Sequence, residues 1–206
     1  MCVIIVKSKA AIMPTLNEMR NAMFTNPDGF SIAWSNNGKL EVFRTMSRKA
    51  MEDYYTKHFN EMKEKNFVFH ARIATHGTRV LENCHGWKFN NDKRAFFHNG
   101  ILSITNRDNM TDSETFLRDI YEPIFDAYGE EAATKAANAI IGGSKFAFID
   151  ELGNVRIFGQ YTEIKGVYYS NLNHQRTYYK HTSYIDDIER EISTFNRPRK
   201  YAYYGK

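Results

Sequence analysis

Short apolar runs separated by polar turns predict a chain of strands and amphipathic helices. The run from Cys2 to Val6 is nearly all apolar and β-branched, a pattern typical of a strand buried on both faces. Thr15 stands three residues before Glu18, the spacing of a capping box, and apolar residues then repeat at helical spacing. Asn36-Asn37-Gly38 lies between two strand-like segments and favours a hairpin, because Asn and Gly adopt positive φ readily.

The rest of the chain alternates between predicted helices and strands without repeats or low-complexity segments. Helices and antiparallel strands are grouped in blocks along the chain, so the pattern predicts an α+β sandwich. The remaining predicted elements are a helix capped by Ser47, strands over 67–72 and 94–98, helices starting near Asp112 and covering 130–141, a hairpin of 145–150 with 154–158, and a strand over 166–171.

Length and composition favour one core. The chain has 206 residues and 42% hydrophobic content, enough for one sizeable core. We expect one domain over residues 1–171, followed by a basic, tyrosine-rich C-terminal extension over 172–206 that packs on the domain or is partly flexible. The net charge of +4 is small, so nucleic-acid binding is not required, although basic residues and tyrosines alternate in the extension.

The two cysteines and the first residues bear on the compartment. No run approaches the roughly 18 apolar residues that cross a bilayer, and the first apolar stretch is too short for a secretory signal. Two cysteines, Cys2 and Cys84, are too few for a disulfide framework. We therefore expect a cytoplasmic protein with no membrane partner and with both thiols free.

Cys2 becomes the first residue of the chain if Met1 is removed. Its thiol and a free α-amine would then stand on one carbon, with ordinary pKa values of about 8.5 and about 8. A nucleophile would thus lie beside its own base, and no separate catalytic histidine would be needed. Taken alone, Cys2 is better interpreted as a small buried residue in a core strand.

Three polar segments at predicted element boundaries change that balance. At the end of the strand 67–72, Arg72 offers a planar fork of donors that matches a carboxylate, and Thr75 could bind the carboxylate as well. After the strand 94–98, the Asn99 amide and the Gly100 backbone N–H are two adjacent donors of the kind that hold an oxyanion. The carboxylate of Asp112 could receive an ammonium group.

The chain resembles the glutaminase domain of the class II glutamine amidotransferases, members of the N-terminal-nucleophile (Ntn) hydrolase superfamily. The match covers roughly residues 2–170 and rests on five features in the family's order. These are Met-Cys at the start, His-x-Arg-x-Ala-Thr-His-Gly from His70, Asn-x-His from Asn83, His-Asn-Gly from His98, and Asp-Ser-Glu from Asp112. The resemblance implies a four-layer α/β/β/α sandwich of two mainly antiparallel sheets.

The resemblance also implies roles for individual residues. Cys2 would attack the glutamine side-chain amide and form a γ-glutamyl thioester, which water hydrolyses to glutamate. Ammonia would pass to an unknown acceptor, such as a separate synthetase or transferase subunit, or be released. The other implied positions are Arg72 and Thr75 on the glutamine carboxylate, His76 shaping the same pocket, Asp112 on the ammonium, and Asn99 with Gly100 as the oxyanion hole.

Alternatives remain open on the sequence. The histidines and Cys84 do not match a standard zinc spacing, so we expect no metal and no cofactor, with Cys84 packed as a small side chain. His85 is followed by Gly86 where the family often has proline, and Asn26-Pro27-Asp28-Gly29 replaces a common Arg-Gly-x-Asp. The chain could instead be an Ntn amidase for another amide, or a non-catalytic binding or regulatory module on the same fold.

Overall fold

A computed structural model describes residues 1–74, 78–108 and 110–175 of the chain. Its strands are β1 Val3–Lys7, β2 Phe30–Asn36, β3 Lys39–Thr45, β4 Phe67–Ala71, β5 Trp87–Phe89, β6 Arg94–Asn99, β7 Lys145–Asp150, β8 Val155–Phe158, β9 Thr162–Ile164 and β10 Val167–Tyr169. Its helices are α1 Leu16–Thr25, α2 Arg48–Lys57, α3 Phe59–Met62, α4 Asp112–Thr115 and α5 Glu122–Ile140. A π-helical segment, Phe116–Tyr121, joins α4 to α5.

The strands form two sheets, and each described pairing is antiparallel. The larger sheet has the order β3-β2-β4-β1-β10-β9, and the smaller has the order β5-β6-β7-β8. β1 thus lies inside the larger sheet, between β4 and β10. The beginning of the chain is therefore fixed by hydrogen bonds on both edges.

Three apolar clusters separate four layers. One cluster lies between the sheets and contains Ile4 and Val6, together with residues of β6 and β7. A second packs α1 and α2 on the larger sheet and contains Val3 and Ile5. The third packs the segment 112–140 on the smaller sheet. Because β1 contributes to two clusters, the predicted strand buried on both faces is confirmed, as is the α/β/β/α sandwich of antiparallel sheets.

Local signals in the sequence produce the predicted element boundaries. The Thr15 hydroxyl accepts a hydrogen bond from Glu18 N at 3.1 Å and begins α1. The Ser47 hydroxyl accepts from Ala50 N at 3.2 Å and begins α2. In the β2–β3 hairpin, Asn37 and Gly38 have φ of 50° and 76°, the left-handed pair that suits a tight antiparallel turn.

Some elements differ from the predictions. The stretch 77–93, predicted to be irregular, contains β5, and β9 was also not predicted. Both are three-residue strands, too short to show an alternating pattern. The helix after Ser47 is interrupted at His58. The two predicted helices after Asp112 are nearly continuous but break at Gly129, whose φ of 78° is not helical.

The end of the described chain continues to pack on the core. Leu172 contacts the cluster beneath α1 and α2, and His174 is buried. Residues 176–206, which make up most of the predicted extension, lie outside the described residues, so the division of the chain at residue 171 stays a prediction. Within the described part, none of the helices has the length and apolar character needed to cross a membrane.

Candidate active site

Strand pairing brings the candidate residues to one end of the two packed sheets. Val3 of β1 lies opposite Ala71 of β4 in antiparallel register, so Cys2 and Arg72 leave the larger sheet side by side. β6 of the smaller sheet packs against β1 and ends at Asn99. Residues separated by 70 or more positions in sequence therefore meet at this end.

The Cys2 thiol is free and lies against the backbone that follows β4. Ile73 N donates to Cys2 Sγ at 3.4 Å, and the Ile73 carbonyl lies 3.5 Å from the same sulfur. The Cys2 carbonyl accepts a hydrogen bond from Asn171 Nδ2 at 2.7 Å. The nucleophile candidate is thus held from both neighbouring strands.

Opposing effects act on the protonation of this thiol. Burial raises the pKa of Cys2, because the thiolate loses hydration. The hydrogen bond from Ile73 N–H, the positive N-terminus and the Arg72 guanidinium act in the opposite direction and lower the pKa. The charge of the N-terminus here belongs to Met1, one residue before the sulfur.

Arg72 is 4% exposed. It is held by the segment before β2 and by the segment that follows β4. Its backbone N–H donates to Gly29 O at 2.8 Å, and its carbonyl accepts from Asp28 N at 2.9 Å. Its Nη1 donates to Thr78 O at 3.1 Å. The guanidinium is therefore a fixed cation beside Cys2, suited to receive a carboxylate.

Asn99 is the last residue of β6, and Gly100 follows it; both line a space next to Cys2. Asn99 is 2% exposed, and its Nδ2 lies 2.8 Å from Ser170 Oγ. Gly100 has φ of 148°, and a Cβ built on it would come within 2.8 Å of the Ser144 Cα. Glycine is required here because the backbone approaches the turn before β7 so closely.

Asp112 begins α4 and is held by local hydrogen bonds. Its Oδ2 accepts from Leu102 N at 2.8 Å, and its Oδ1 accepts from Ser113 N at 2.8 Å and from the Ser113 hydroxyl at 3.2 Å. A carboxylate has about four lone-pair positions, so acceptor capacity on Oδ2 remains for one further donor. An ammonium group is such a donor.

These residues share a small cavity. A space of about 40 Å³ is lined by Cys2, Arg72, Gly100 and Asp112. A second space of about 230 Å³ shares Cys2 and Gly100 with the first and extends to Met1 and Asn99. One water molecule needs about 10–15 Å³ by the same measure, so the smaller space is a few water molecules in size.

A stack of three buried histidine rings lies beside the smaller cavity, and two of them, His85 and His98, form part of its wall. The ring centroids of His70 and His85 are 4.0 Å apart and nearly parallel, and those of His85 and His98 are 6.3 Å apart. Burial lowers the pKa of His70 to about 3 and of His98 to about 4, and the pKa of His85 also lies well below its ordinary value. The stack is therefore uncharged at neutral pH.

The structure adds residues that the motifs did not single out. Ser170 and Asn171 contact Asn99 and Cys2 from the end of β10. They are the last two residues of the predicted strand 166–171, and the available signal was that this strand, like the strand 67–72, ends in polar residues. The predicted site residues Thr75 and His76 lie outside the described residues.

The other cysteine, Cys84, does not line the candidate site, and the described residues offer no set of ligands for a metal ion. Cys84 is fully buried, with its Sγ 3.5 Å from Met46 Sδ, which confirms that it packs as a small side chain. Across the three described segments, no group of three or more histidine, cysteine or acidic side chains is arranged to hold a metal ion.

Solved structures share this architecture. Glutamine phosphoribosylpyrophosphate amidotransferase from B. subtilis, complexed with ADP and GMP, matches 86% of the chain at 16% identity and a TM-score of 0.54. The allosteric regulatory enzyme of purine biosynthesis matches 86% at 15% identity and a TM-score of 0.58. The chain has the fold of the class II glutamine amidotransferases. It spans 43% of the length of each of these two chains.

The amidotransferase fold fits the element order described above and confirms the resemblance at the level of architecture. Neither a protein-family model nor a curated protein sequence matches the chain. The likeness therefore concerns the fold, and the roles of Cys2, Arg72, Asn99, Gly100 and Asp112 depend on their own chemistry.

Proposed function

We propose that the protein hydrolyses the side-chain amide of glutamine to glutamate and ammonia through a γ-glutamyl thioester on Cys2. The observation that carries the proposal is that Cys2, Arg72 and Asp112 line one cavity at the start of β1. A nucleophile, a fixed cation and a carboxylate with spare acceptor capacity match the amide, carboxylate and ammonium of one small amino acid. The amidotransferase fold supports the same activity.

Removal of Met1 is part of the proposal. Met1 is 66% exposed, so an aminopeptidase could reach it. The positive N-terminus already lowers the Cys2 pKa from one residue away, and removal of Met1 would bring the ammonium onto the same carbon. The shorter distance strengthens the interaction. The thiol would therefore lose its proton more readily in the trimmed chain, and the α-amine would gain its catalytic position.

Each charged group of glutamine would bind a residue of opposite charge, the α-carboxylate on Arg72 and the α-ammonium on Asp112. Arg72 would hold the α-carboxylate with two parallel hydrogen bonds, and Thr75 would contribute to the same carboxylate. Asp112 would use the remaining acceptor position on Oδ2 for the α-ammonium, and His76 would shape this pocket. The uncharged histidine stack would leave these two ion pairs without a competing charge.

The reaction would proceed by acyl transfer to sulfur. The α-amine takes the thiol proton, and Cys2 Sγ attacks the amide carbon while Asn99 and Gly100 donate hydrogen bonds to the oxyanion. The C–N bond breaks as the amine returns a proton to the leaving nitrogen, which departs as ammonia. Water then attacks the thioester with the amine as base, and the C–S bond breaks to give glutamate.

The fate of the ammonia is a separate part of the proposal. We infer that it passes to an acceptor on a separate synthetase or transferase subunit, or is released. The two similar structures are amidotransferase and purine-biosynthesis enzymes by name, and each is about twice as long as this chain. A cytoplasmic location stays a prediction from the sequence.

The test combines mass, labelling and turnover. Purified protein verified by intact mass to begin at Cys2 should release equal amounts of glutamate and ammonia from glutamine. A glutamine-like diazo ketone should add once, at Cys2, and Cys2→Ala should abolish both labelling and turnover. Cys84→Ala is the matched control and should keep both. A trimmed wild-type protein that neither hydrolyses glutamine nor forms a thioester with it would refute the activity.

A further inference from the structure

Two consecutive residues after β10 hold separate parts of the candidate site. Because β10 runs antiparallel to β1, its end lies beside the start of β1. Asn171 Nδ2 donates to the Cys2 carbonyl at 2.7 Å, and Ser170 N donates to Ile4 O at 3.0 Å. The end of β10 therefore fixes the backbone that carries the nucleophile.

The Ser170 side chain connects this backbone to Asn99. Ile4 N donates to Ser170 Oγ at 2.8 Å, and the Asn99 amide lies on the other side of the hydroxyl, with Nδ2 at 2.8 Å from Oγ. Ser170 is 6% exposed and Asn99 is 2% exposed. Water does not readily replace either partner at this depth, so each hydrogen bond affects the geometry of the site.

The two planar orientations of the Asn99 amide differ in their hydrogen bonds. With Nδ2 on Ser170, the hydroxyl accepts twice, and Asn99 Oδ1 is buried without a hydrogen-bond partner among the described residues. With Oδ1 on Ser170, the hydroxyl accepts from Ile4 and donates to Oδ1, so a serine's single donor is used. The second orientation frees both Nδ2 hydrogens. Within the described part of the chain, each orientation leaves one buried group of Asn99 unpaired, Oδ1 in the first and Nδ2 in the second. Only the second orientation pairs the Ser170 hydroxyl hydrogen and offers donors to an oxyanion.

We propose that Ser170 is a positioning residue that holds the Asn99 amide with Nδ2 available to the oxyanion, an inference that rests on the proposed glutaminase activity. The backbone N–H of Ile4, two residues after the nucleophile, occupies one lone pair of the Ser170 hydroxyl and thereby directs its hydrogen toward Asn99. One hydroxyl thus couples the position of the nucleophile strand to the orientation of the oxyanion-hole amide.

The first experiment measures glutamine turnover in Ser170→Ala. Loss of one oxyanion donor lowers kcat by about 10²–10³-fold, and an amide that is only partly misoriented should lose about 10–100-fold. Ser170→Thr keeps the hydroxyl and should recover most of the rate. Ser31→Ala is the matched control, because Ser31 is also fully buried in the larger sheet and its hydroxyl has no partner within the described structure. It should turn over like wild type.

Two readouts separate positioning from a general loss of structure. Alkylation of Cys2 by iodoacetamide forms no oxyanion, so its rate in Ser170→Ala should stay within about twofold of wild type, as should inhibition by glutamate. In addition, if Ser170 acts through Asn99, the double variant Asn99→Ala/Ser170→Ala should be no slower than Asn99→Ala alone.

The outcomes distinguish the positioning role from the activity itself. Wild-type kcat in Ser170→Ala, or an undiminished effect of Ser170→Ala in the Asn99→Ala background, would overturn the role of Ser170 and leave the glutaminase activity standing. Equal losses of kcat, alkylation rate and glutamate binding would also overturn it, because they indicate local unfolding. A trimmed wild-type protein inert toward glutamine would overturn both proposals.

Discussion

Gly100 is a position where a single methyl group should have a large and specific effect. In Gly100→Ala the new Cβ would lie 2.7 Å from Ser144 Cβ and 2.8 Å from Ser144 Cα. Real Cβ contacts are not this short, so the backbone of one of the two segments has to move. The substituted residue would also keep φ of 148°, which L side chains rarely adopt.

The two effects can be given separate magnitudes. Holding a residue other than glycine in a left-handed conformation costs about 1–2 kcal/mol, and overpacking a well-packed site costs about 1–3 kcal/mol. Gly100→Ala should therefore lower the free energy of unfolding by about 2–5 kcal/mol. Gly38→Ala isolates the first effect, because Gly38 has φ of 76° and nothing within 4 Å of the added Cβ. It should cost only about 1–2 kcal/mol.

The assay is equilibrium denaturation together with glutamine turnover. Displacement of reacting groups by about 1 Å can cost about 10²-fold in rate, so Gly100→Ala should lose most turnover even where it remains folded. Adding Ser144→Gly removes the contact with Ser144 Cβ but leaves that with Cα, so rescue of stability should be partial. Equal stability losses in Gly100→Ala and Gly38→Ala, or complete rescue by Ser144→Gly, would refute the steric reasoning.

Two further predictions concern charge. The pKa of His70 is lowered to about 3 from an ordinary 6.5, so below pH 6.5 the unfolded chain binds a proton that the folded chain does not. The stability associated with neutral His70 is therefore fully present above pH 6.5 and is lost as pH falls toward 3. Between pH 7.5 and 5 the loss should be about 2 kcal/mol per buried histidine, and His70→Phe should reduce the measured loss by that amount; an unchanged loss would contradict this. Asp28 is buried and accepts from Ala74 N at 2.8 Å, whereas its partner Arg79 is mostly exposed. Asp28→Asn should therefore cost about 2 kcal/mol in denaturant and Arg79→Ala less than about 1 kcal/mol; the reverse order would contradict the assignment.

Local chemistry explains why much of the fold could be predicted from sequence. The capping hydroxyls of Thr15 and Ser47, and the turn at Asn37, act within three residues of where they stand. The continuous apolar run of β1 by itself predicts a strand that is buried on both faces. Such signals do not depend on knowing which strands pair. They fix element boundaries, and the grouping of elements then fixes the class of fold.

The parts that sequence did not predict depend on distant partners. β5 has three residues and exists because it pairs with β6, with Trp87 opposite Phe96. Ser170 lies 71 positions from Asn99 and 166 from Ile4, so no local pattern could associate it with the proposed oxyanion hole. The histidine stack combines side chains of three motifs that each appeared separately in the sequence.

The placement of β1 bears on how a residue near the start of the chain can act as the proposed nucleophile. Chain ends usually fray, because few contacts hold them. Here β1 lies between β4 and β10, so Cys2 receives a hydrogen bond from Ile73 on one side and from Asn171 on the other. Both hold the residue without using its α-nitrogen, which leaves that atom available as a base after removal of Met1. The same sheet position that buries the first strand therefore gives Cys2 the fixed geometry that the proposed acyl transfer requires.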